Sequence, residues 1–164
     1  MTGGLLVVGL GNTWRSDDGA GPAVARALGD DPRVLVHEGE PIGLLDAWEG
    51  ADEVMVVDAV ASGAPPGTVH RLDAAAAPLP AAVARGSTHA FGLAETIELA
   101  RTLGRLPERL TVYGIEGGCF DAGDDLSPPV RAAVDAVREE LRGWLGKPAV
   151  DRWQAPDAEA CREA

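Results

Sequence analysis

Apolar residues fall in short runs between glycine-rich and charged stretches, and two of those runs are uninterrupted. Leu5-Leu6-Val7-Val8 and Val54-Met55-Val56-Val57 contain no polar residue. A strand covered on both faces reads this way, whereas a half-exposed strand alternates. They predict buried strands over residues 4–9 and 53–58. Between them, Pro22 opens a segment with Ala23, Val24, Ala27 and Leu28 at helical spacing, which predicts a helix over about 19–28. Val34 to His37 predicts a short strand, and Pro41 to Trp48 a short helix with Ile42, Leu45 and Trp48 on one face.

Ala64-Pro65-Pro66-Gly67 is a turn signal, and Thr68 to Leu72 alternates as an edge strand would. Residues 73–86 are rich in Ala and Pro, suit no firm element and are expected to form a mobile loop. Leu93, Ile97 and Ala100, with Leu103, predict a helix over about 92–103; Arg109 to Ile115 predicts the last strand. Pro128 to Leu145 reads as a long amphipathic helix with Val130, Val134, Val137, Leu141 and Leu145 inside. Strands alternating with helices at these distances predict a single-domain, three-layer α/β/α sandwich around a mostly parallel, mixed sheet of about five strands. The domain is expected over residues 1–146, with a loosely structured tail over 147–164.

Composition narrows the partners. A formal net charge of -12 over 164 residues opposes general affinity for nucleic acid or anionic membrane, both of which reward Lys and Arg clusters. The two cysteines, Cys119 and Cys161, have no paired spacing, so neither a disulfide framework nor a thiolate zinc site is indicated. No apolar run approaches the roughly 20 residues that span a bilayer, and the N-terminus lacks a signal-peptide pattern. A soluble, cytoplasmic monomer is expected.

The chain has no Gly-x-Ser-x-Gly elbow, no His-Glu-x-x-His and no phosphate loop. Three residues fall instead at one rim of the expected sheet: Asp18 after the first strand, Asp58 at the end of the third, and His89 just before a helix. Two carboxylates and an imidazole there would bind a divalent first-row ion such as nickel or zinc and leave coordination positions open. Each has a structural alternative. Asp17 and Asp18 suit the cap of the first helix, and Asp17 is expected to do only that. Asp58 could satisfy loop amides, and His89 could cap the helix that follows. His37 and His70 fall inside strands and read as exposed or core-satisfied. Gly9-Leu10-Gly11 with Glu38 mimics a dinucleotide fingerprint, but Trp14 stands at the third glycine position and the helix starts too late to hold a pyrophosphate.

Gly9-Leu10-Gly11-Asn12, Asp17-Asp18-Gly19-Ala20-Gly21-Pro22, Val57-Asp58-Ala59 and Thr88-His89 before Gly92-Leu93 together resemble the hydrogenase maturation proteases over residues 5–145. The resemblance implies a nickel-dependent endopeptidase that removes a C-terminal extension from a [NiFe]-hydrogenase large-subunit precursor. It places the metal-binding positions on Asp18, Asp58 and His89, with Asp18 or Asp58 as the catalytic base. It also implies that the precursor presents the nickel; zinc or cadmium could substitute in the isolated protein. Two departures stand out: Glu38-Gly39-Glu40-Pro41 replaces the usual Asp-Gly-Gly-Thr/Ser turn, and Gly117-Gly118 follows Glu116 where proline is frequent. The second is expected to make its loop more flexible. A non-catalytic, metal-dependent binding module for a nickel protein remains the competing class.

Overall fold

The computed structural model describes residues 4–85 and 92–148. Five strands, β1 (Leu5–Leu10), β2 (Val34–His37), β3 (Glu53–Val60), β4 (Val69–Asp73) and β5 (Arg109–Glu116), form one sheet among the described residues in the order β2-β1-β3-β5-β4. All neighbours pair in parallel except β4, which joins the edge of β5 antiparallel. The mixed α/β sandwich is the architecture expected. Residues of β3 are buried along its whole length, as its uninterrupted apolar run requires.

Helices α1 (Ala20–Ala27), α2 (Pro41–Ala47), α3 (Ala81–Arg85), α4 (Leu93–Thr102) and α5 (Pro128–Gly146) connect or follow the strands. One face of the sheet packs Val7, Met55, Val57 and Ile115 against Val24 of α1 and Val130, Val137 and Leu141 of α5. The other packs Val8, Val54, Val56 and Val112 against Leu44 and Leu45 of α2 and Ile97 of α4. The strand order reverses between β1 and β3, because β2 lies on one side of β1 and β3 on the other. In open α/β sheets, the crevice beyond the carboxyl ends at such a reversal is where ligands bind. No helix among the described residues is long and apolar enough to cross a membrane.

Several local expectations change. The first helix is split into a 3-10 turn at Ser16–Gly19 followed by α1. Ile42 is exposed, and Leu44 takes the inward place beside Leu45 and Trp48. Leu103 is also exposed, because α4 ends one residue before it.

The segment expected to be a mobile loop is held where it is described. Ala74 is fully buried, Asp73 Oδ1 accepts from the amides of Ala75 and Ala76, and Arg101 donates to the carbonyls of Ala74 and Ala75. Alanine here is small enough for the chain to press against the end of β5, so composition misled where packing decided. Of the expected tail, residues 149–164 lie outside the described residues.

Candidate active site at the carboxyl ends of β1 and β3

Glycines let the connection after β1 fold back onto the strand ends. A β-carbon at Gly21 would overlap the carbonyl oxygens of Leu10 and Val57, one at Gly9 would overlap the carbonyl of Gly21, and one at Gly11 the carbonyl of Asp18. Gly11 also has φ +146°, a conformation that side chains oppose. The 3-10 turn and the start of α1 are therefore pressed against both β1 and β3. That close approach carries Asp18 to the residue-level neighbourhood of Val57 and Asp58.

Asp18 is fully buried and its Oδ2 accepts from the Asn12 amide at 3.0 Å. Asp58 is 1% exposed and shares the sheet face of Val54 and Val56, since side chains alternate along a strand. In register it lies opposite Gly114 of β5, which lies opposite His70 of β4 in turn. Both carboxylates thus sit at the strand-order reversal, as the sequence placed them. His89 lies outside the described residues. Among the described residues no group of three or more His, Cys, Asp or Glu is arranged to hold a metal ion. Two buried carboxylates, one in the turn after β1 and one near the end of β3, nevertheless suit a divalent cation, because hard oxygen donors in a low-dielectric setting gain from a positive charge.

Asp17 is not a helix cap. Its carboxylate accepts from the amides of Gly118 (2.8 Å), Cys119 (3.0 Å) and Ser127 (2.7 Å) and from Ser127 Oγ (2.8 Å), and its own amide donates to the Cys119 carbonyl. Burial pushes its carboxyl up, but the donors from Ser127, Gly118 and Cys119 outweigh this and hold it below the usual carboxylate range. The diglycine expected to loosen its loop is tied down by this residue. Three of its four donors are backbone amides of a distant loop, and amides leave no trace in side-chain patterns.

Glu116 was also missed as a rim residue. It ends β5, is 1% exposed, and accepts from the Ser62 amide and hydroxyl and from His70 Nε2 at 3.1 Å. This satisfies His70 and fixes the start of the β3–β4 connection beside Asp58. The alternation of β5 with its apolar residues could have placed Glu116 on the inner face; its partners could not be read.

The loop after β1 does not suit a dinucleotide. The Asn12 amide is spent on Asp18, a buried carboxylate lies where a phosphate would need positive potential, and α1 starts only at Ala20.

Comparison with known proteins agrees with this geometry. The family model described as hydrogenase maturation protease matches residues 31–144. The hydrogenase expression/formation protein HupD of Thiocapsa roseopersicina is 31% identical over 150 residues, covering 87% of this chain and 68% of that protein. The hydrogenase 2 maturation protease of Escherichia coli is 27% identical over 154 residues, covering 90% and 93%. The structure of the hydrogenase maturating endopeptidase HybD from E. coli superposes with a TM-score of 0.70 at 26% identity, covering 87% of this chain and 91% of that one. The [NiFe] hydrogenase maturation protease HybD from Thermococcus kodakarensis gives 0.67 at 25%, covering 88% and 99%. With its fold, its buried rim carboxylates and these relatives in agreement, the chain belongs to the hydrogenase maturation protease family and is a peptidase.

Proposed function

We propose that this peptidase removes the C-terminal extension of a [NiFe]-hydrogenase large-subunit precursor, acting in the cytoplasm as a monomer, and that nickel held by the precursor is required. The observation that carries the reading is the burial of Asp18 and Asp58 together at the strand-order reversal. Asp18 and Asp58, with His89 as third ligand, would complete the coordination of an ion that the precursor brings. Bound there, the metal would polarise the scissile carbonyl or lower the pKa of a water.

The protein's own contribution is acid–base chemistry and positioning. One carboxylate takes a proton from the attacking water as its oxygen bonds to the scissile carbon, and the proton passes to the leaving amine as the C–N bond breaks. Asp17 and Glu116, each satisfied by donors within the protein, hold the flanking loops at fixed positions around that reaction. A site of carboxylates and imidazole without thiolate discriminates weakly among transition metals, so zinc or cadmium should bind the isolated protein as well.

Incubation with apo-, zinc- and nickel-loaded precursor, followed by intact-mass measurement, tests the proposal. A shortened product from nickel-loaded precursor alone is expected. Equal cleavage of the apo-precursor overturns nickel dependence, and no product from any form overturns precursor processing.

A further inference from the structure

The rim that holds the buried carboxylates also carries the most exposed large apolar side chain among the described residues. Trp14 is 72% exposed, although its backbone is fixed on both sides. Its amide donates to Asn12 Oδ1 at 2.9 Å, and its carbonyl accepts from the Gly123 amide at 2.9 Å. Arg15 bridges to Gly123, the Ser16 amide donates to the Gly123 carbonyl, and Ser16 Oγ donates to the Asp121 carbonyl. Asn12, two residues before Trp14, is the residue whose amide binds Asp18. The indole therefore stands on an ordered base beside the candidate site, and nothing in the fold rewards its exposure.

Ile42, 65% exposed, stands on the same rim at the start of α2, after the carboxyl end of β2. Glu40 caps that helix by accepting from the amides of Ile42 and Gly43, so this position is also ordered. Rigid exposed aromatics lose little side-chain entropy on association and dominate protein–protein interfaces. Any chain that brings a peptide bond to Asp18 and Asp58 must cross this rim.

We propose that Trp14, supported by Ile42, is a specificity-determining anchor that packs against an apolar side chain of the substrate polypeptide close to the scissile bond. The inference rests on the precursor-processing reading and adds the chemistry of what the rim recognises. The partner is a protein chain presenting an apolar residue, because the two exposed apolar side chains of this peptidase stand on the rim of its buried carboxylates, Trp14 in the loop after β1 and Ile42 in the first turn of α2.

Steady-state processing of nickel-loaded precursor by Trp14→Ala tests the anchor. Loss of an aromatic anchor should raise KM about tenfold or more, leave kcat within about twofold, and be largely rescued in Trp14→Phe. Ile42→Ser should raise KM less. The melting temperature of Trp14→Ala should match wild type, since the indole is mostly in water. Cleavage by wild type with an unchanged KM in Trp14→Ala overturns the anchor while leaving the processing reading intact. Absence of cleavage by wild type removes that reading and the anchor with it. Sedimentation velocity supplies the other occupant: a wild-type dimer that becomes monomeric in Trp14→Ala assigns the indole to self-association and overturns the proposal.

Discussion

The two ends of the sheet solve the problem of burying charge in opposite ways. At the amino ends of β3 and β5, a cavity of about 380 Å³ is lined by Glu53, Arg71, Arg109, Glu140 and Tyr113. Two of its acids face cations: Arg71 binds Glu140 through Nε and Nη2, and Arg109 Nη2 lies 3.9 Å from Glu53. At the carboxyl ends, Asp17, Asp18, Asp58 and Glu116 are all buried. There the partners identified are amides, hydroxyls and an imidazole. The cavity sets an arginine against each of two acids, Glu140 and Glu53, whereas the four acids at the carboxyl ends gather negative charge that a cation could meet.

Substitution separates the two ends most sharply in activity. Asp58→Asn keeps size and removes charge, and should lower processing by about a thousandfold or more, the scale on which loss of a general base is felt. Arg71→Gln in the cavity should leave processing within about twofold. An intact-mass time course with both variants measures the contrast, and comparable losses would make the cavity part of the site.

Glycine replacements test whether close approach is confined to the rim. Gly21→Ala forces a methyl into the carbonyls of Leu10 and Val57 and should cost about 3 kcal/mol or prevent folding. Gly143→Ala meets nothing within 4 Å in α5 and should stabilise by about 0.5–1 kcal/mol. Urea unfolding of both variants gives the comparison.

Asp17→Ala removes the acceptor from the part-buried amide bonds of Gly118, Cys119 and Ser127, which should cost about 1–2 kcal/mol. Hydrogen exchange should speed at Gly118, Cys119 and Ser127 and stay unchanged in β4. Uniform acceleration would mean that the residue serves global stability rather than the rim.

The smallest expected effect lies away from both ends. Asp31 accepts from Arg33, which holds its carboxyl down to about 2. Its contribution is therefore complete above about pH 4 and is lost as pH falls towards 2, and at this partly exposed pair it should amount to about 0.5 kcal/mol. Acid unfolding of Asp31→Asn beside wild type measures that difference.

The legible parts of the molecule are those in which one residue's own chemistry decides its place. Val54 to Val57 announced a covered strand, Val130 to Leu141 an amphipathic helix, and Asp58 a carboxylate at a strand end. The role of Asp17 was hidden because its partners are backbone amides about a hundred positions away, and any residue except proline supplies an amide. Ile42 shares a helical face with the buried Leu45 and Trp48 yet is exposed, because periodicity fixes a stripe but not where a short helix begins to be covered. Within the Ala- and Pro-rich segment 73–86, the helix at Ala81–Arg85 and the contacts of Ala74 with Arg101 were not legible, because alanine's composition signal is weak while its fit is tertiary.

The Asp17 network spans 101 to 110 positions of sequence, from the loop after β1 to Gly118, Cys119 and Ser127. During synthesis, β1 and its acids leave the ribosome long before the amides that frame them. Contacts of such separation are late and slow to form. The Asp17 frame at the carboxyl ends of the sheet can thus close only when nearly all of the described chain has emerged. A nascent or truncated chain ending before Gly118 would carry Asp18 and Asp58 without the loop that Asp17 ties down, so the rim is tied to completion of the fold.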